Sequence, residues 1–170
     1  LTVKGFRFDT GPSWYLMPEA FDEFFCACGT TTARELDLVD LSPAYRVVNE
    51  DGEAIDIDSG VDNVVALFES LEPGAGDKVR EYLSRASDVY AVALRNFLYT
   101  TFSRPAQLLN KDVLTRLGTL ALLLTRSLDA LVAAQFKDYR LRQVLTYPAV
   151  FLSTEPQAAP ALYSLMSHTD

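Results

Sequence analysis

The chain holds two cysteines, Cys26 and Cys28, and a single histidine, His168, among 170 residues. So few thiols make no disulfide framework, and a chain of this size does not need one, so a reduced intracellular protein is the default. Two positions apart on one helix, the cysteines would point to different faces and share no metal. With one histidine, no cluster of zinc-binding spacing can be assembled. Eight glycines and eight prolines exclude collagen-like and Gly/Pro-dominated chains. Basic residues number 15 against 23 acidic ones, a net charge of −8, which suits nucleic-acid binding poorly because phosphates need a basic face. The most apolar stretch, Leu117 to Leu124, is interrupted by Arg116, Arg126 and Asp129. A membrane span needs about 20 apolar residues, so this stretch is too short. There is no Gly-x-Gly-x-x-Gly turn, no Walker loop and no Gly-x-Ser-x-Gly elbow. No signal peptide is visible.

What is present is ordinary globular composition, 49% hydrophobic and 22% charged, in about one domain's length of chain. The charge is uneven. Residues 1–77 carry 4 basic and 16 acidic residues, whereas residues 78–142 carry 11 basic and 5 acidic. This middle region reads either as solvated helix faces or as a surface drawn to anionic lipid. The chain opens on Leu1 and closes on Asp170 without a terminating motif, so it is expected to be a piece of a longer protein.

Residues 1–60 read as mixed structure. Phe6 and Phe8 alternate with Arg7 and Asp9 as in a short half-buried strand, which Gly11-Pro12 ends. Pro18 opens a helix, with Glu19, Asp22 and Glu23 in its first turns. Phe21, Phe24, Phe25 and Cys28 form a core-facing stripe at i, i+3, i+4 and i+7, and Gly29 closes the helix. Asp51-Gly52 between Tyr45–Val48 and Ala54–Ile57 signals a β-hairpin.

Residues 61–170 read as helical. Asp62 or Ser59 is the expected cap of a helix ending at Leu71, and Asp77 caps the next, which runs on Val79, Leu83, Ala86, Tyr90, Ala93, Phe97 and Thr101 until Ser103-Arg104-Pro105. Asn110 caps a third helix from Lys111 to about Phe136, and Asp138 a short fourth. Within the third helix, Leu117 to Leu124 reads as a buried core segment; the other reading is a helix against lipid or lining an apolar tunnel. Tyr147 to Leu152 is a short apolar run, Ser153 to Gln157 a turn, and Pro160 opens a last helix through Met166.

Spacing alone points to no catalytic residue. His168 has no positioned partner in sequence, Asp56 and Asp58 share the face of one strand as solvated carboxylates, and Ser13 has no histidine to activate it.

Gly5-Phe6-Arg7-Phe8-Asp9-Thr10-Gly11-Pro12 resembles the Gly-[Phe/Tyr]-x-Phe-Asp-x-Gly-Pro segment of bacterial phytoene desaturases, which are FAD-dependent, amine-oxidase-like flavoproteins. Pro43-Ala44-Tyr45-Arg46 followed by Asp51-Gly52 is similar to the family's Pro-x-Tyr-Arg hairpin. Leu141-Arg142-Gln143, then Phe151-Leu152-Ser153-Thr154-Glu155-Pro156, then Pro160-Ala161-Leu162-Tyr163 match its closing run in order. Ser153 stands where the family usually has glycine. The Rossmann FAD-binding domain and the C-terminal FAD-contacting segment have no counterpart here.

The resemblance implies an α+β substrate-domain part of an FAD-dependent oxidoreductase spanning 1–170, mainly helical, with strand, helix and hairpin in 1–60 and helices in 61–170. It implies a parent enzyme that introduces double bonds into phytoene or a related polyene by hydride transfer to flavin. Thr10, Gly11 and Pro12 would pass beside the flavin ring, where glycine admits close backbone approach and proline stiffens the loop. Trp14, Tyr15, Tyr147 and Phe151 would line an apolar tunnel for the hydrocarbon, or else be plain core. FAD is expected in the parent and none on this piece, which is expected to be inactive alone. The implied partners are the polyene, the rest of the parent chain and a peripheral membrane surface touched by 78–142; no metal and no nucleic acid are expected. Location is expected to be cytoplasmic, with or without membrane association. Two other readings are a carotenoid-type flavin oxidase or saturase, and a non-catalytic helical module that binds lipid or protein.

Overall fold

A computed structural model describes residues 2–8, 10, 15–49, 52–99 and 115–168. Among the described residues the architecture is mainly helical with two small antiparallel sheets, and the chain divides into two units, Leu1–Val39 and Asp40–His168.

In the first unit, β1 (Thr2–Val3) pairs with β2 (Phe6–Arg7), Val3 opposite Phe6. Lys4 and Gly5 both take positive φ, +50° and +85°, the turn whose twist matches that of the flanking strands. The strand was expected to be half-buried and to include Phe8. It is instead two residues long, and Phe6 is 71% exposed, because the ladder is too short to present a face that its unit covers. Helix α1 (Pro18–Ala27) has Pro18 in its first turn and ends as expected. Gly29, at φ +80°, donates to the Cys26 carbonyl at 3.0 Å, and Thr30 N donates to the Phe25 carbonyl at 3.0 Å. That pair of bonds satisfies the last carbonyls, and the left-handed residue is one that glycine takes without strain. The aromatic stripe of α1 is not core-facing here: Phe21 and Phe24 are exposed and the helix buries no residue. A short α2 (Thr32–Glu35) follows, tied back by Thr32 Oγ1 donating to Asp22.

In the second unit, β3 (Tyr45–Val48) and β4 (Ala54–Ile57) form the expected hairpin, Tyr45 opposite Ile57 and Val48 opposite Ala54. Ile55 and Ile57 turn inward while Asp56 faces out to Arg46, which donates to it through Nε and Nη2. Helices α3 (Val61–Leu71) and α4 (Ala75–Ala93) pack together. Neither expected cap forms. Gly60 precedes α3, with no side-chain cap, and Asp62 instead accepts from Arg80 at 2.8 Å. The first amides of α4 are satisfied from the neighbouring helix. Glu69 accepts from Gly74 N and Gly76 N, all at 3.0 Å. These amide bonds hold its carboxyl below the ordinary range. A Cβ on Gly76 would sit 3.1–3.2 Å from Glu69 and from the Val65 carbonyl, so glycine permits this approach. Helix α4 runs on through a wider π-type turn, Leu94–Leu98.

The long third helix does not form. Helix α5 (Leu117–Thr125) stops at Arg126, which is extended, and α6 (Leu128–Ala133) starts anew. Ser127 caps α6 by accepting from Ala130 N at 3.2 Å. The break is stabilised over distance, since Leu128 N donates to the Ala159 carbonyl and Ala161 N to the Arg126 carbonyl, both at 2.8 Å. Asn110 and Ser103 to Pro105 lie outside the described residues. From Gly118 to Leu124 the buried residue is Leu123, whereas Leu122 and Leu124 are 51% and 58% exposed. Asp138 caps α7 (Tyr139–Thr146) as expected, accepting from Arg140 N. Two tight 3₁₀ segments, Tyr147–Leu152 and Ala161–His168, close the described chain. Between them Ser153 adopts φ +51°, ψ +41°, a left-handed position that glycine occupies without strain.

The core of this unit gathers Phe68, Val79, Tyr82, Leu128, Val132, Phe136, Leu141 and Leu145 from α3, α4, α6, the residues after α6, and α7.

Candidate functional site

Pro148, two residues past the end of α7, stops the helix and sits in the 3₁₀ turn that carries Tyr147 and Phe151. Their rings meet edge-on at 5.7 Å, and Tyr147 stacks on Tyr45 of β3 at 5.6 Å, with 27° between the planes. Three rings therefore form a continuous shelf. Tyr45 and Tyr147 are half-buried and Phe151 is exposed. The family resemblance named Tyr147 and Phe151 and missed Tyr45 as a shelf residue. The signal was there in the strand alternation, which puts Tyr45 and Val47 on one side of β3.

Tyr45 also lines a cavity of about 340 Å³ with Ile57, Val61, Val64, Leu83, Val144 and Leu145, all from the second unit. Its charged neighbours are already engaged: Asp58 accepts from Ser42 at 3.1 Å and Arg80 donates to Asp62. His168 reaches the rim, 3.5 Å from Ser87 Oγ and with its ring 5.1 Å from Tyr90. The nearby pair Arg46 and Asp56 stabilises its own charges, raising the guanidinium and lowering the carboxyl through their hydrogen bond. Rings and aliphatic walls with satisfied charges can hold a flat apolar ligand by stacking and water exclusion. They do not form an acid–base pair.

The other expected site residues belong to the first unit. Thr10 is exposed. Tyr15 is half-buried against Phe21, centroids 4.6 Å apart. Gly11, Pro12 and Trp14 lie outside the described residues. Among the described residues no group of three or more His, Cys, Asp or Glu is placed to hold a metal, and no helix is long and apolar enough to cross a membrane. Cys26 and Cys28 are free and exposed.

No family model matches the chain. It is similar along its whole length to known proteins. The carotenoid 3,4-desaturase of Haloarcula japonica is 40% identical over 170 residues, covering 100% of this chain and 34% of that protein. The phytoene dehydrogenase of Streptomyces griseus is 34% identical over 174 residues, covering 100% of this chain and 33% of its own. A 4,4'-diapophytoene desaturase (4,4'-diaponeurosporene-forming) of Staphylococcus aureus is 26% identical over 166 residues, 98% of this chain and 33% of its own. The chain thus spans about a third of the length of these relatives.

Proposed function

The chain belongs to the phytoene desaturase family, and from that premise we propose that the protein carrying it is an oxidoreductase that introduces double bonds into phytoene or a related polyene. The observation that carries this reading is the unbroken 170-residue match, at 40% identity, to a relative named as a carotenoid desaturase. The shelf of Tyr45, Tyr147 and Phe151 suits such a substrate, since a conjugated chain is flat and apolar and stacks on aromatic rings. Their role is to orient the hydrocarbon and exclude water. For Trp14 and Tyr15 the proposal is the same kind of role, contact with hydrocarbon by an aromatic ring.

Such an oxidation removes two hydrogens and needs an acceptor, which FAD supplies when bound. Thr10 is exposed, which leaves it open to a flat group such as a flavin edge. Thr10, Gly11 and Pro12 would lie there. No glycine-rich phosphate turn occurs in this sequence, and no pyrophosphate contact is proposed for its residues. Residues 1–170 would then be the substrate-domain part of the enzyme.

The test uses the full-length protein with flavin and liposome-embedded phytoene. Product should appear as long-wavelength polyene absorbance. Tyr147→Ala should raise KM about tenfold with little change in kcat, the worth of one stacked ring and its buried area. A protein that leaves both phytoene and its partly desaturated derivatives unchanged overturns the reading of the enzyme; an unchanged KM overturns the shelf.

Peripheral membrane contact belongs to the same proposal. Exposed Leu122 and Leu124 lie in the one basic region of an acidic chain, which combines apolar area with charge attraction. Full-length protein should sediment with phosphatidylglycerol vesicles, less so at high salt, and Leu124→Asp should weaken it. Absence of sedimentation at every salt concentration would remove the membrane from the account.

A further inference from the structure

The cavity beside the shelf has its chemistry divided by element. Most of its apolar lining comes from the hairpin, α3 and α7, with Tyr45, Ile57, Val64, Val144 and Leu145. Its hydroxyls and its imidazole come from two other elements, Ser84 and Ser87 from α4, Ser167 and His168 from the last 3₁₀ segment. Arg80, Ser84 and Ser87 stand at i, i+4 and i+7, so they share the face of α4 on which the cavity opens. The last segment packs on α4 and brings His168 Nε2 to 3.5 Å from Ser87 Oγ. That is the long end of hydrogen-bonding distance, so neither group is committed to the other. A ligand can reach them, since Ser84 and His168 are exposed and Ser87 is half-buried.

The arginine and the aspartate of this lining are already engaged, Arg80 with Asp62 at 2.8 Å and Asp58 with Ser42 at 3.1 Å. An ionised end group would shed its water without gaining either of them. A hydroxyl is better matched. It donates to one partner while accepting from another, and serine hydroxyls and imidazole nitrogens offer both roles. The volume, about 340 Å³, is at the small end of ligand pockets, enough for one end of a long molecule. Tyr45 is both a wall of this cavity and a ring of the shelf, so a chain lying on the shelf can end here.

We propose that this cavity takes the uncharged, hydroxyl-bearing end of the molecule whose conjugated stem lies on the Tyr45–Tyr147–Phe151 shelf, with Ser87 and His168 bonding that hydroxyl. The proposal rests on the reading of the shelf as a polyene site and adds a preference to it, for polyenes that end in an alcohol.

The probe is retinol, a fluorescent polyene alcohol, titrated into the full-length protein. Its competitors are axerophthene, the same polyene with hydrogen in place of the hydroxyl, and retinoate, which carries a carboxylate there. Retinol should bind about three- to tenfold more tightly than axerophthene, the worth of one hydrogen bond. Retinoate should bind no more tightly than axerophthene. Ser87→Ala and His168→Ala should each bring retinol toward the hydrocarbon's affinity and leave axerophthene unchanged. His168→Gln, which keeps a donor and an acceptor, should retain the preference. Circular dichroism melts of all three variants should match wild type, as these positions are exposed or half-buried. Tyr147→Ala should weaken retinol and axerophthene alike, because that ring meets the stem. Equal binding of retinol and axerophthene by the wild type, or a preference that survives both alanine variants, overturns the hydroxyl subsite and leaves the shelf standing. Retinoate binding tightest makes the cavity an anion site and overturns the proposal as well. If none of the three binds, the shelf falls and the subsite with it.

Discussion

Phe136→Ala is expected to destabilise the second unit by about 3–5 kcal/mol, the range for truncating a fully buried aromatic side chain. Phe136 is 1% exposed and follows α6 directly. Its ring meets Phe68 of α3 edge-on at 5.6 Å and 82°, and Tyr82 of α4 at 6.5 Å and 80°. One side chain therefore joins elements from three parts of the chain. Its loss removes the buried area, leaves a cavity among helices that relax only in part, and breaks two aromatic contacts worth about 0.5–1.5 kcal/mol each. Phe136→Leu, which keeps much of the volume and loses only the ring geometry, should cost roughly 1–2 kcal/mol. The control is Val150→Ala, at a site 63% exposed, where a change within about 0.5 kcal/mol is expected. Denaturant unfolding followed by circular dichroism reads all three. If Phe136→Ala costs no more than Val150→Ala, the three-helix aromatic junction is not what holds this unit together.

Features written in local residues were legible. Asp51-Gly52 between two β-prone runs produced the β3–β4 hairpin, Pro18 and Gly29 bounded α1, and Asp138 capped α7. The misreadings have a common physical origin, in partners distant along the chain. The apolar period runs smoothly from Leu117 through Phe136, and the break at Arg126–Ser127 is held by backbone bonds to Ala159 and Ala161. The first amides of α4 are satisfied by Glu69 on another helix, a contact that no rule for local caps contains. The site divides in the same way. Tyr147 and Phe151 lie four residues apart and could be read together, whereas Tyr45 joins them only through the fold. The stripes on α1 and α5 were read as core because periodicity shows which side of a helix is apolar without showing what covers it.

Glu72→Ala should cost about 3 kcal/mol at neutral pH, and the wild-type advantage should fade in acid. The Glu72 carboxylate ends α3 with its side chain only 13% exposed. It accepts from the backbone N–H of Lys137 at 2.7 Å and of Asp138 at 2.9 Å, and from Lys78 Nζ at 3.3 Å. It thereby fixes the approach to α7, more than sixty residues away, and with it the turn that carries Tyr147. Each hydrogen bond to a charged group contributes about 1.5–3 kcal/mol, and removing the acceptor leaves two amides unsatisfied, so about 3 kcal/mol is the expected scale. The Asp138 amide, foremost, lowers the Glu72 carboxyl; burial opposes that, and the Lys137 amide and Lys78 add to the lowering. A carboxyl lowered by folding stabilises the native state above the unfolded value of about 4.3, and that contribution is lost as pH falls through the folded value. The stability difference between wild type and Glu72→Gln should therefore be largest near pH 7 and shrink as pH falls below about 4. Asp138 is lowered too, chiefly by its bond with Arg140, but it titrates in both proteins and cancels from the difference. Denaturant midpoints for the pair at pH 7, 5 and 3 give the measurement. A gap that stays constant across that range would mean that the geometry of the acceptor, and not its charge, holds the end of α3 to the start of α7.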